Sequence, residues 1–310
     1  MSNPPYIIRN YQSTDFDRFI LLNNEAKNLE PTERYVSPQF ITEHLSWPSY
    51  SPEQDLFVAE IALNIIGYMD ITPEPAIERI ILDCWVNPEH RRRGLATNLL
   101  GYVIHRTNEL GVKIIHVNIS QDNTVAKSTL SKLGFKYVRR FLELRLDMTK
   151  VRLHDFDRTA LKFRHLQYGE ADKLAQFQNR FFAGTWGYNP NTMETINYSL
   201  HLANHSPEDV ILAYDGDKVV GYCWTEIPSV KEYVSVQRKG RVYMIGVDPD
   251  YRGMGVGRRV LLAGLAYLKS KGLQVTELTV DSNNKTACTL YQSISFEVWK
   301  SNLWYEKVLD

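Results

Sequence analysis

Val86-Asn-Pro-Glu-His-Arg91-Arg92-Arg93-Gly94-Leu95-Ala96 recurs 161 residues later, from Arg91 to Arg252, as Val247-Asp-Pro-Asp-Tyr-Arg252-Gly253-Met254-Gly255-Val256-Gly257. The register then holds without a gap, Gly111 falling on Gly272, Asn123 on Asn284, Ala126 on Ala287 and Phe135 on Phe296. Each copy follows an apolar run and opens an apolar-periodic helix. The spacing therefore predicts a glycine-bearing turn at a helix N-terminus with its backbone N–H groups free, a geometry that binds phosphate. At ordinary glycine usage a bare [Arg/Gln]-x-x-Gly-x-[Gly/Ala] arises about 0.3 times in a chain of this length. Two copies in one register, each behind Val-x-Pro and each followed by Asn-x-x-Ala and a Phe, mark an internal repeat.

Outward from the glycine turns the repeat continues. Tyr6 to Arg9 reads as a strand, and Ser13-Thr-Asp-Phe-Asp17 opens a helix to about Leu29 with Ser13 or Thr14 as its cap. Leu161 to Arg164 and Glu170 to Leu174 repeat that pair at an offset of 155 residues (Arg9 to Arg164). The second half thus carries about six extra residues before its glycine turn, in Phe181 to Pro190 or in Thr225 to Gly240. Leu56–Glu60 with Ile65–Asp70, and Val210–Tyr214 with Val219–Trp224 around Asp215-Gly-Asp-Lys, read as hairpins. Ile80–Val86 and Val242–Val247 feed the turns; Ile114–Ile119 and Val275–Val280 follow the turn helices; Phe141–Leu146 and Trp304–Leu309 are the last strands. This partial alternation implies an α/β chain with a mixed sheet and helices on both faces. The expected division is 1–150 and 156–310, with polar Asp147 to Leu161 as the linker.

A chain of 310 residues is long enough for two cores. Lys+Arg and Asp+Glu both number 36, so no global field selects nucleic acid or an anionic membrane. Cys84, Cys223 and Cys288 are odd in number and set among apolar neighbours, which reads as reduced thiols. With no basic, apolar leader at Met1 and no 18-residue apolar run, the expectation is a cytoplasmic protein, monomer or homodimer. His201 and His205 stand at i, i+4, but no Cys or acid pattern supports a metal there, and none is expected.

Neither glycine turn ends in the Gly-Lys-Ser/Thr of a P-loop, nor has the Gly-x-Gly-x-x-Gly and distal acid of a dinucleotide fold. A pyrophosphate at a helix start beside a free strand edge suits coenzyme A. The whole pattern resembles the GNAT superfamily of acyl-CoA N-acyltransferases, in tandem. The second half is similar in particular to the mycothiol synthase family, through Gly221-Tyr-Cys-Trp-Thr225, Val242 to Pro249, Leu262-Ala-Gly-Leu265 and Val280-Asp-Ser-Asn-Asn284 running on to Tyr291.

The resemblance implies acetyl-CoA bound in the second half and in the first, with acetyl transfer to the amine of a small molecule or peptide. The amides of Arg252, Gly253, Met254, Gly255, Val256 and Gly257 would hold the pyrophosphate, Met244, Ile245, Gly246 and Val247 would pair with pantetheine, and Asn284 would join them. Arg91, Arg92, Arg93, Gly94, Leu95, Ala96 and Asn123, with Asp83, Cys84, Trp85 and Val86, would do the same in the first half. Arg91 to Arg93 read either as a solvated helix start or as cations for the coenzyme phosphates.

Transfer needs a neutral amine, a polarised carbonyl and a proton for the departing thiolate. Tyr291, one turn past Ala287, matches the family's tyrosine near the sulfur and suits a proton donor; the competing reading is a half-buried packing aromatic. Leu130 holds that position in the first half. The glutamate base that mycothiol synthases place before Val-Tyr is Arg241 here, so Glu226 is the replacement in sequence terms, against a solvated surface glutamate or water as base. Ser295 stands in place of the usual Gly before the final Phe. Trp186, Tyr188 and Trp224 are candidates for an acceptor pocket or for plain core. Two rival readings stay open: chemistry in the first half with Glu78 or Asp83 as base, and a non-catalytic acyl-CoA sensor or scaffold.

Overall fold

A computed structural model of the chain describes residues 6–29, 37–151, 161–227 and 238–309. Two compact units emerge, residues 1–138 with 303–310, and residues 139–302. In chain order the elements are β1 (Ile7–Asn10), α1 (Phe16–Leu29), α2 (Pro38–Leu45), α3 (Pro52–Asp55), β2 (Leu56–Ile61), β3 (Asn64–Glu74), β4 (Arg79–Val86), α4 (Leu95–Glu109), β5 (Ile114–Ser120), α5 (Thr124–Lys132) and β6 (Lys136–Asp147). They continue as β7 (Lys162–His165), α6 (Ala171–Phe181), α7 (Met193–Leu200), β8 (Val210–Asp215), β9 (Lys218–Glu226), β10 (Lys239–Val247), α8 (Val256–Ser270), β11 (Val275–Asp281), α9 (Lys285–Gln292) and β12 (Glu297–Val308).

The first unit orders its strands β1-β2-β3-β4-β5, antiparallel except for the parallel pair β4 and β5. The side-chain period of two sends alternate residues of β2 to opposite faces. Phe57 and Ala59 join Leu99 and Val103 of α4 in one core, while Leu56 and Val58 join Phe19 and Leu22 of α1 and Ile41 of α2 in another. The chain's last residues complete this unit: Glu306 meets His116 Nε2 at 2.9 Å, and the Leu309 N–H donates to the Lys113 carbonyl at 2.8 Å.

The second unit repeats the plan as β7-β8-β9-β10-β11 and adds β6, which pairs antiparallel with β11 from Phe141↔Asp281 to Asp147↔Val275. Tyr222 and Trp224 of β9 pack on the α6 and α7 side, and Cys223 between them on the α8 side. These pairings explain why the units differ from a division at 150 and 156: most of β6 is held by the second unit's β11, and the chain's end by the first unit's β5 region. Residues 152–160, within the stretch read as a linker, lie outside the described residues.

The repeat extends to polar detail. Arg9 forks onto Asp15 at 2.6 and 2.9 Å, and Arg164 onto Glu170 at the same two distances. The helix start expected at Ser13 or Thr14 is corrected by this pair. Gln12 is the cap residue, and Asp15 accepts from its N–H at 2.9 Å, as Glu170 does from Gln167 at 3.0 Å. An ionised carboxylate is a stronger acceptor than a serine or threonine hydroxyl.

Gly67 and Gly221 both pair with the valine that ends the next strand, Val86 and Val247. The added length of the second half therefore lies between β9 and β10, in the Thr225 to Gly240 stretch, of which 228–237 lie outside the described residues. Ser295 takes φ 73° where Gly134 takes 81°, so the turn before the last strand is kept at the cost of a left-handed serine. Relieving it by Ser295→Gly is expected to raise the unfolding free energy by about 0.5–1 kcal/mol, the left-handed penalty less glycine's extra chain entropy. A denaturant melt with a lower midpoint for the variant would contradict this.

Candidate active site

In both units the strand that leads into the glycine turn parts from its parallel neighbour. β4 and β5 pair from Arg79↔Ile114 to Leu82↔Val117, and β10 and β11 from Lys239↔Val275 to Arg241↔Glu277. Asp83 to Val86 and Met244 to Val247 lie beyond those last pairs, on the splayed stretch. Their other edges stay paired with β3 and β9. The result is a one-sided strand edge that opens toward a helix start.

The two glycine turns have one conformation. Gly94 (φ 78°, ψ 0°) caps α4 and Gly255 (φ 76°, ψ 4°) caps α8, and neither helix start has a side-chain cap. Two residues earlier Arg92 (φ 62°) and Gly253 (φ 77°) are also left-handed. Alternation of this kind turns successive N–H groups to one side and makes an anion-binding concavity at the positive end of a helix. A Cβ at Gly94, Gly253 or Gly255 would meet nothing within 4 Å, so the cradle is open on its outer side. Such a cradle fits a pyrophosphate, and the free strand edge fits the amide-bearing arm of coenzyme A.

Some residues expected to touch coenzyme are occupied in building the turn. Arg91 Nε donates to the Val86 carbonyl at 2.8 Å and an Arg252 NH2 to that of Phe181 at 2.5 Å, so these arginines buttress the loop. Arg92 and Arg93 are exposed. Asn123 and Asn284 cap α5 and α9, accepting from the N–H of Ala126 at 2.9 Å and Ala287 at 3.1 Å. Asn-x-x-Ala is thus a helix-cap signature.

A model of the "Acetyltransferase (GNAT) family" matches residues 21–135 and again 171–296. The chain belongs to the GNAT family of acetyltransferases. It is an N-acetyltransferase with two GNAT repeats, using acetyl-CoA. Mycothiol acetyltransferase of Acidothermus cellulolyticus is 26% identical over 270 residues, covering 81% of this chain and 79% of that protein. Among solved structures, a GCN5-related N-acetyltransferase from Sphaerobacter thermophilus superposes with TM-score 0.74 at 18% identity, covering 99% of this chain and 97% of the other. A tandem GNAT protein from the clavulanic acid biosynthesis pathway superposes with TM-score 0.71 at 13% identity and 98% coverage of each. No helix among the described residues is long and apolar enough to cross a membrane.

The strand before the glycine turn differs between the units. β10 carries a bulge: Val242 pairs with Thr225 and Met244 with Trp224, leaving Tyr243 unopposed. β4 runs against β3 without one, from Gly67↔Val86 to Glu74↔Arg79. No residue pattern announced the bulge. At its side stand Glu226, about a quarter exposed, opposite Arg241, whose guanidinium donates to Thr279 Oγ1 at 2.9 Å. His205, read only as a weak metal candidate, packs here, its Nε2 3.9 Å from Glu226 Oε1. His201 points elsewhere, with Nδ1 2.7 Å from the Asn197 carbonyl.

Tyr291 on α9 is buried among Cys223, Val256 and Ile294, its ring edge-on to Phe296 at 5.8 Å. Burial, helped by the neighbouring Cys223 and Cys288 thiols, raises its hydroxyl above the usual tyrosine range, so it is a protonated donor at neutral pH. The pocket aromatics separate. Trp224 is core; the Tyr188 hydroxyl donates to Asn179 at 2.8 Å; Trp186 lies beside Phe141 and under the Arg139 guanidinium at 4.9 Å.

In the first unit Asp70 and Asp83 face each other across β3 and β4. Asp70 accepts from Tyr50 at 2.7 Å and lies 2.6 Å from His44 Nε2, while Asp83 accepts from Tyr68 at 2.8 Å. Burial works against a charged His44, yet the Asp70 hydrogen bond and the two carboxylate charges raise its pKa. Asp70 in the apolar run Ile65 to Ile71 was the signal for this cluster. Glu78 sits at the closed end of β4, 3.8 Å from Lys113, away from the splayed stretch.

Proposed function

We propose that acetyl transfer takes place in the second unit, onto the primary amine of a small acceptor that carries an anionic group. The observation that carries this reading is an asymmetry between the units: the second has a bulge in β10 with Glu226 paired opposite Arg241 beside it and Tyr291 on α9, whereas the first has an unbulged β4 and Leu130. Acetyl-CoA supplies the thioester. The Arg252 to Gly257 amides would hold its pyrophosphate, the Met244 to Val247 edge its pantetheine arm, and a strand amide near Val247 the carbonyl oxygen. Glu226 takes a proton from the acceptor ammonium, and Tyr291 gives one to the departing sulfur. The likeness to mycothiol acetyltransferases supports a small-molecule acceptor.

Arg241 stands opposite Glu226 and places a permanent positive charge at the acceptor side. It repels a plain cationic amine and can hold a carboxylate or phosphate with two prongs. With acetyl-CoA turnover read as free thiol, 2-aminoethyl phosphate is expected to outperform ethylamine, and Arg241→Glu to reverse that order. An unchanged order would show that Arg241 has no part in acceptor choice.

A second reading, chemistry in the first unit, is favoured by the opposed Asp70 and Asp83 with His44, Tyr50 and Tyr68, where Asp83 would be the base. Asp83→Asn abolishing turnover while Glu226→Gln spares it would establish that reading.

A further inference from the structure

The loop after α7 brings a second titratable group to Glu226. The His205 ring is 6% exposed and stands edge-on to Trp224 at 5.3 Å and to Tyr243 at 5.1 Å, with Trp224 and Tyr243 themselves 5.1 Å apart. Three rings at steep angles to one another hold the plane of the imidazole. Its Nε2 lies 3.9 Å from Glu226 Oε1, and Nδ1 is buried without a hydrogen-bond partner among the described residues.

A neutral imidazole carries one N–H, and its proton belongs on the nitrogen that has an acceptor within reach. Here that acceptor is the Glu226 carboxylate. At 3.9 Å the pair stands just beyond direct hydrogen-bond distance, a gap that a small rotation of the glutamate side chain would close. Burial and the positive charge of Arg241 hold the His205 pKa down to about 4, so the ring is neutral across the physiological range. His205, Arg241 and Tyr243 are among the ionisable groups around Glu226. Glu277, also opposite Arg241, is taken up by Arg145 at 2.6 Å.

We propose that His205 is a positioning residue: it presents Nε2–H to Glu226 and holds that carboxylate ionised beside the β10 bulge, ready to take the acceptor's ammonium proton. This rests on the reading that the chemistry lies in the second unit. The step balances without a further reactant, since the N–H bond of the ammonium breaks, the proton joins the Glu226 oxygen and the amine keeps its electron pair. His205 keeps its own proton throughout. An N–H donor favours the charged form of a carboxylate, so its removal raises the Glu226 pKa.

Two measurements on the full chain test this without an acceptor. Nitrogen-15 spectra of the wild-type imidazole should show His205 neutral with its proton on Nε2; a proton on Nδ1 overturns the proposal. Carbon-13 titration of the glutamate carboxyls, with Glu226→Gln to assign the signal, should show the Glu226 midpoint rising by about 0.5–1 unit in His205→Phe, the scale of one modest hydrogen bond to a charged group. Phe fills the slot between the rings and tests packing alone, whereas His205→Gln restores an N–H and should return the midpoint toward wild type. An unmoved midpoint in His205→Phe shows that the ring only packs. Full turnover of 2-aminoethyl phosphate by Glu226→Gln would instead overturn Glu226 as the base, whatever the titrations show, so the two failures are distinct.

Discussion

Gly255→Glu abolishes coenzyme binding in the second unit and Gly94→Glu in the first, each variant losing one of the two calorimetric sites for acetyl-CoA. The expectation follows from the turns themselves. Both glycines are left-handed caps of helices that no side chain caps, and both point a would-be Cβ into open space. A glutamate there meets no protein atom within 4 Å at its Cβ. What it would meet is the pyrophosphate proposed to sit there, by bulk and by like charge, where the helix N–H groups converge. The backbone penalty is about 1–2 kcal/mol, and the first unit's turn already carries it at Arg92, with φ 62°. Gly255→Ala separates the two effects, because it imposes the same backbone strain without the charge and should weaken binding far less. Unchanged stoichiometry in both glutamate variants would show that neither turn holds the coenzyme.

How much of this was legible follows from the range of the interactions. The glycine turns, the paired strands and the helices on both faces came from local periodicity and from a register of repeated residues, and short-range rules govern those features. The left-handed backbone at Ser295 was suspect from its missing glycine, and the structure shows the turn kept in strained form. The Asn-x-x-Ala pair was visible, but its use as a helix cap is seen only when Asn284 is found accepting from Ala287. What stayed hidden depends on strand register or on contacts between distant segments. The bulge at Tyr243 inserts one residue into a ladder whose partner lies some 18 residues back, at Thr225 and Trp224, and no side-chain pattern encodes it. His205 reaches Glu226 only because a loop after a helix folds onto the end of a strand. Asp70, by contrast, was a charge in an apolar strand, and a buried charge demands partners; His44 and Tyr50 supply them.

Tyr291→Phe lowers kcat by about 10-fold to 1,000-fold, with the affinity for acetyl-CoA little changed. The ring stays where it is, because its burial among Cys223, Val256 and Ile294 and its edge contact with Phe296 use carbon atoms that phenylalanine retains. Only the hydroxyl goes. Among the described residues that hydroxyl makes no hydrogen bond, so its removal leaves no buried partner unsatisfied and costs little stability. Burial keeps the phenol protonated, so the hydroxyl has a proton to give as the carbon–sulfur bond breaks, although the same burial makes it a weaker acid. The first unit provides the internal comparison, since Leu130 occupies the matching position and offers no proton. If the chemistry were there, with Asp83 as base, Tyr291→Phe would turn over normally and Gly94→Glu would not. A kcat loss in Tyr291→Phe with turnover retained in Gly94→Glu assigns catalysis to the second unit, and the opposite pair of results assigns it to the first.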